Sequence, residues 1–238
     1  MGGTTLKSIG LHDHVERCYT GPNPMIETAA VSAIDLTRCF DSLTAVDHLT
    51  FETPEGVVFG LLGPNGAGKS TLIKMLITLL PVSEGTARVA GFDIVHEARE
   101  VRRRIGYVPQ MISADGELTG RENLVISAKL YGIPSTERKR RVDEALAFMD
   151  LSDVGDRLVS HYSGGMVRRL EIAQAMMHRP RVLFLDEPTV GLDPVARHSC
   201  WQRIRELRTQ YGTSIFMTTH DMEEAETLWS WSSVRSPA

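Results

Sequence analysis

Gly63-Pro64-Asn65-Gly66-Ala67-Gly68-Lys69-Ser70 lies between an apolar run at 57–62 and a helical pattern at 68–80. The run Val-Val-Phe-Gly-Leu-Leu has no polar alternation, so it reads as a strand buried on both faces. After the glycines, Leu72, Met75, Leu76 and Leu79 recur at helical spacing, and Pro81 closes the segment. Strand, glycine loop and helix in such short order demand an α/β architecture in which the loop leaves the carboxyl end of a buried strand. The rest of the chain fits that demand. Strand text appears around Ile34, Leu36 and Thr37, at 45–51, at 182–185 and at 215–219. Asp193 and Pro194 form an N-cap and N1 pair that opens a helix burying Cys200, Ile204 and Leu207.

Residues 111–161 have a different character. Thr119 and Glu122 have capping-box spacing, and Val142, Ala145, Leu146 and Met149 form one helical stripe. This reads as a helical insertion, and the run Arg138 to Arg141 within it as the solvated face of a helix. The expected organisation is one domain at 31–238, with a helical subdomain at about 111–165. It is preceded by an aperiodic, mobile arm at 1–30 that contains Gly21, Pro22 and Pro24.

Composition removes several function classes. A formal net charge of −4 gives no polyanion-binding surface, so nucleic acid is not an expected partner. No apolar stretch reaches the roughly 20 residues needed to span a bilayer. The polar start, with His12, Asp13, His14 and Glu16, has no secretory core. Cys18, Cys39 and Cys200 are too few and too scattered for a disulfide framework or a zinc site, which fits a reducing cytoplasm.

The chemistry begins at the glycines. A polyphosphate is wrapped by backbone N–H groups, and side chains at the wrapping positions would block that approach. The 63–70 segment fits G-x-x-x-x-G-K-[ST] in the required strand-to-helix context. Lys69 is then placed to reach the β and γ phosphates and Ser70 to ligate Mg²⁺, while the helix N-terminus, including Thr71, favours the anion. A second requirement is acid at the end of a buried strand. Val182-Leu183-Phe184-Leu185-Asp186-Glu187 supplies it, with Asp186 for the metal and Glu187 as general base toward water. Ser163-Gly164-Gly165 opens another helix and offers a second anion site, for which one nucleotide in one cradle leaves no ligand. A partner chain's ATP is the economical occupant.

Across about 34–226 these residues resemble the ATP-binding cassette family of transport ATPases, because several motifs recur in the family's order. The resemblance implies a P-loop NTPase core of α/β class. Its sheet would be mostly parallel, with antiparallel strands near the N-terminus and an α-helical subdomain inserted. It also assigns roles. Phe40 falls where an aromatic ring stacks on adenine, and Gln110, after Tyr107-Val108-Pro109, where an amide senses Mg²⁺ and water. Tyr162-Ser163-Gly164-Gly165-Met166 is similar to the signature loop in the form used by drug-resistance exporters. Gly191-Leu192-Asp193 is similar to a loop crossing the dimer interface, and His220 to the switch histidine at the γ phosphate.

The implied function is a Mg²⁺-dependent ATPase subunit, peripheral on the inner face of the cell membrane. Its implied partners are a second copy and a separate transmembrane permease through which export occurs. Beyond Glu226 the family continues with further strands, whereas 229–238 matches nothing in it, and truncation or an altered reading frame is the expectation. That leaves an alternative open: a nucleotide-binding protein without productive turnover. A DNA-repair cassette ATPase ranks last, because no heptad run is present. If the cradle is read correctly, Lys69→Ala weakens MgATP binding and abolishes hydrolysis, measured by titration calorimetry and phosphate release.

Overall fold

The computed structural model describes residues 16–18, 29–41 and 43–228, and these form two sheets with helices packed around them. The first sheet has the order β1 (Glu16–Cys18), β4 (Val58–Leu62), β9 (Ser214–Thr219), β8 (Val182–Asp186) and β7 (Ile105–Val108). The last four run parallel. Val58 lies opposite Ile215, Asp186 opposite Thr218, and Val108 opposite Leu185. Every residue of β8 and β9 is buried, which explains why their text is apolar without alternation: helices or the second sheet cover both faces.

The second sheet is antiparallel, in the order β3 (Leu43–Pro54), β2 (Ala29–Phe40), β5 (Glu84–Val89) and β6 (Phe92–Asp93). Pairing in β2 shifts between Ala33 and Leu36, where Asp35 takes a positive φ of 49°. The shift leaves Ile34 exposed and turns Leu36 and Thr37 inward. Between the sheets sits an aromatic cluster. Phe59 and Phe184 lie with ring centroids 5.0 and 5.4 Å from that of Phe216, and Phe51 stacks on Phe59 at 5.7 Å. Helix α1 (Lys69–Leu76) packs into the same core through Leu72, Ile73, Met75 and Leu76. It stops earlier than its periodicity implies: Thr78 takes φ 66°, and the amides of Leu79 and Leu80 both donate to the Lys74 carbonyl. Leu79, expected on the inner face, is therefore exposed.

α2 (Ala98–Arg104) precedes β7, and on the other face of the parallel sheet α5 (Gly164–Met176) and α6 (Pro194–Tyr211) build a second core. α3 (Gly120–Leu130) and α4 (Ser135–Phe148) extend it through Leu124, Val142 and Leu146. Thr119 and Glu122 form the capping box: Thr119 Oγ1 accepts from the Glu122 amide at 3.1 Å, and Glu122 Oε2 accepts from the Thr119 amide at 2.8 Å. The basic run lies on the wet side of α4, where Lys139 pairs with Asp143 at 2.8 Å and Arg140 with Glu144 at 2.6 Å. Cys200, Ile204 and Leu207 of α6 are buried, and burial pushes the Cys200 thiol up to about 12. α7 (Met222–Leu228) closes the described chain.

Of the expected N-terminal arm, Glu16–Cys18, Ala29 and Ala30 are described, all as strand, with Glu16–Cys18 antiparallel to β4. The remainder of the arm and the unusual tail at 229–238 lie outside the described residues. Among the described residues no helix is long and apolar enough to cross a membrane. Because Phe216 is 1 % exposed and touches three other rings, Phe216→Ala is expected to lower unfolding free energy by about 3–5 kcal/mol, read from urea titration.

Candidate nucleotide site

Neighbouring strands in a sheet lie about 4.8 Å apart, so residues leaving the carboxyl ends of parallel strands are brought into one row. Here β4 runs into Gly63, β9 into His220, β8 into Glu187, and β7 through Pro109 into Gln110. The Gly63 amide donates to the Thr219 carbonyl at 3.2 Å and ties the glycine loop to β9. Within the loop Gly66 and Gly68 both have φ 85°, a region in which a side chain is strained. A Cβ built on Gly66 meets nothing within 4 Å, so the loop turns an uncovered backbone toward open space. Gly68 is the N-cap of α1 and supplies no side-chain cap, and the first turn holds no acid. The amides and the positive dipole end at that helix start thus suit an anionic ligand. Pro64 and Asn65 are exposed, Ala67 is buried, and Ser70 and Thr71 are half-buried at the same helix start.

Lys69, 5 % exposed, folds back over its loop: Nζ donates to the carbonyls of Gly63 at 2.7 Å and Pro64 at 3.0 Å. Asp186 is buried, and its Oδ1 accepts from Ser70 Oγ at 3.1 Å and Thr218 Oγ1 at 2.7 Å. Glu187 follows with φ 48°, a left-handed backbone that costs a non-glycine residue roughly 1–2 kcal/mol. Its amide donates to the Thr218 carbonyl at 3.2 Å and to Thr218 Oγ1 at 3.1 Å, which holds the turn. Three side chains from three other segments then converge on its carboxylate, whose side chain is 6 % exposed. Lys69 Nζ lies 3.3 Å from Oε1, Gln110 Nε2 3.3 Å from Oε2, and His220 Nδ1 3.2 Å from Oε2. Nearby Tyr107 is pushed up to about 12, by burial first and the Asp186 charge second, and so keeps its proton.

The structure does not bring every expected residue to this row. Ser163 caps α5, accepting from the Met166 amide at 3.3 Å, and Ser163 and Gly164 are exposed. Gly165 packs so closely on α6 that an added Cβ would lie 2.6 Å from the Ala196 Cβ. Asp193 caps α6, accepting from the amides of Val195 and Ala196, both at 3.0 Å. Among the described residues no hydrogen bond or ion pair joins 163–165 or Asp193 to 63–71. Phe40 stands at the end of β2, 37 % exposed, with the Arg38 guanidinium 4.4 Å from its ring centroid.

Ser70 Oγ and Asp186 Oδ1 are hard oxygen donors on adjacent elements, a pairing that fits Mg²⁺, which takes one or two protein oxygens and completes its shell with phosphate and water. Among the described residues no group of three or more His, Cys, Asp or Glu side chains is arranged to hold a metal. Sequence reasoning missed Thr218, whose hydroxyl bridges both acids, and the buried charges Arg168 and Glu171 behind Gln110. The one signal for the last two was a basic and an acidic residue three apart on the inner face of a helix.

The profile of the family described as ABC transporter matches residues 46–190, more than half of the chain. The chain belongs to the ABC transporter family. It is 46 % identical over 201 residues to the daunorubicin/doxorubicin resistance ATP-binding protein DrrA of Streptomyces peucetius, covering 84 % of this chain and 61 % of that protein. It is 43 % identical over 203 residues to Nod factor export ATP-binding protein I of Burkholderia thailandensis, covering 85 % and 66 %. The chain thus spans somewhat under two-thirds of the length of these relatives. The fold agrees with cbiO1 from Clostridium perfringens, described as part of the ABC transporter complex cbiONQ: TM-score 0.76, 28 % identity, 82 % of this chain and 80 % of that one. The resemblance to the drug-resistance exporter branch and the fold class read from sequence both agree with these matches.

Because Thr218 is fully buried between the two acids, Thr218→Val removes one of two hydrogen bonds from each of the Glu187 amide and Asp186 Oδ1. A loss of about 1–3 kcal/mol in unfolding free energy is expected, measured by urea titration; an unchanged midpoint would remove Thr218 from the support of the turn.

Proposed function

We propose that the chain binds ATP with Mg²⁺ in the 63–71 cradle and hydrolyses it, as the ATP-binding subunit of an exporter. The observation that carries this reading is the convergence of Lys69, Gln110 and His220 on the buried Glu187 carboxylate, at the rim of a glycine loop that leaves its backbone open. Such a carboxylate is held in one orientation by donors from separate strands, which is the preorganisation a general base requires.

In this reading Glu187 accepts a proton from the attacking water. Gln110 and His220, both at Oε2, hold that oxygen in place and position the water and the terminal phosphate. Lys69 and the amides of 63–71 bind the phosphate oxygens, and Phe40 presents its exposed ring to the base. Ser70, Asp186 and Gln110 would hold Mg²⁺, whose charge would offset that of the phosphates.

Ser163, Gly164 and Asp193 open two helix starts that stand apart from the cradle of their own chain. Facing a second copy, they supply the contacts that close over its ATP, so the working unit is a homodimer with two shared sites. The names of the relatives, drug resistance and Nod factor export, support a role in export; in this reading the chain sits on the inner face of the cell membrane beside a separate permease. Nucleic acid has no part in this reading.

Glu187→Gln keeps the cradle and removes the base, so MgATP is expected to drive accumulation of a dimer that the native protein dissolves by turnover. Light scattering after size exclusion checks it. A variant that binds ATP and stays monomeric at all concentrations argues against the shared site.

A further inference from the structure

α5 carries two charged side chains on its buried side. Arg168 and Glu171 have side-chain exposures of 6 % and 1 %, and pair at 3.1 Å. Arg168 Nη1 donates to the Pro109 carbonyl at 2.7 Å, and Nη2 to the Gln110 carbonyl at 2.9 Å. Glu171 Oε1 accepts from Ser113 Oγ at 2.9 Å and also from the Ser113 amide. The guanidinium therefore grips the backbone on both sides of the Gln110 α-carbon, and the carboxylate grips it three residues later.

An ion pair this deep is poorly explained by stability, because desolvating two charges offsets their attraction, and apolar residues of similar shape often serve as well. Position is the better account. Gln110 Nε2 reaches Glu187 Oε2 at 3.3 Å, so its aim depends on where the 109–113 backbone lies. Ser163, the N-cap of the same α5, stands one and a half turns before Arg168.

We infer that the Arg168–Glu171 pair is a clasp that moves the 109–113 segment with α5 as one body, so that the placement of Gln110 against Glu187 is set by the helix whose first residues face the partner copy. Arg168 and Glu171 are positioning residues: both are buried behind Gln110 and act through it. The inference rests on the ATPase reading above for its activity readout.

The test uses the full chain. Arg168→Met/Glu171→Leu removes both charges together, whereas either single change strands a buried charge. MgATP turnover and Kd are measured for this variant, for Gln110→Ala and for the triple variant. The pair variant is expected to lose about tenfold or more in kcat with Kd within about threefold of native, and Gln110→Ala to lose a similar factor. Because the clasp acts through Gln110, the triple variant should lose no more than about twofold beyond Gln110→Ala. Arg168→Lys should fail to rescue, since an ammonium lacks the planar fork that serves two carbonyls and a carboxylate at once.

A folded pair variant with native kcat, or losses that multiply in the triple variant, overturns the clasp. If the pair variant does not fold, Arg168→Gln/Glu171→Gln, which also removes both charges together but keeps polar side chains in place, carries the same cycle under the same criteria. Amide exchange gives a readout independent of turnover: Ser113 should exchange about tenfold faster in the pair variant while the α5 amides keep their protection, and an unchanged Ser113 overturns the clasp. Lys69→Ala separates the two readings. Native-like MgATP binding in that variant overturns the nucleotide site itself, whereas lost binding there beside an unmoved pair variant overturns the clasp alone.

Discussion

Parallel pairing of β8 between β7 and β9 sets the geometry on which the rest of the molecule depends. Asp186 lies opposite Thr218 across that ladder, and the Thr218 hydroxyl then bonds both Asp186 Oδ1 and the Glu187 amide. Parallel strands need covered faces and long crossovers, so this pairing also requires helices on one side and a second sheet on the other. The aromatic cluster of Phe59, Phe184 and Phe216 fills one side and α5 with α6 the other. The strand ends are thereby anchored from both faces.

A site placed at strand ends gains rigidity from the sheet and chemistry from the loops. The left-handed turn at Glu187 shows the combination: its steric cost is offset by two hydrogen bonds from its amide to Thr218, and the outcome is a carboxylate turned toward Lys69, Gln110 and His220. Strain of this kind persists only where neighbours over-determine the backbone. The helical region meets the site at a different point, through the Arg168–Glu171 pair and the backbone around Gln110. A few hydrogen bonds, each removable, thus link the helix capped by Ser163 to the Gln110 backbone, and the Gln110 amide to the Glu187 carboxylate.

Much of this was legible in the residues themselves. The cap at Thr119 with Glu122, the Asp193–Pro194 helix start and the buried text of β8 and β9 are local or period-driven signals, and each stands as read. The end of α1 was read too late because Leu79 has the right spacing, while the chain leaves the helix at Thr78 through a left-handed residue that periodicity does not report. Ile34, Leu36 and Thr37 lie in a strand as read, but which of them point inward is set by a register shift in β2 that leaves Ile34 exposed.

By itself the sequence determined that a glycine loop with Lys69 and Ser70 leaves a buried strand and enters a helix, that two acids end another buried strand, and that the chain is of α/β class. Those properties reside in neighbours along the chain, where steric and hydrogen-bonding rules act over a few residues. Tertiary structure alone decided which distant groups share one carboxylate: Lys69, Gln110 and His220 meet at Glu187 because strand order, which no local rule fixes, sets their segments side by side. It also decided that Thr218, Arg168 and Glu171 matter. A threonine inside a strand and a charged pair on a helix are ordinary in sequence, and become informative only when burial removes water as their alternative partner.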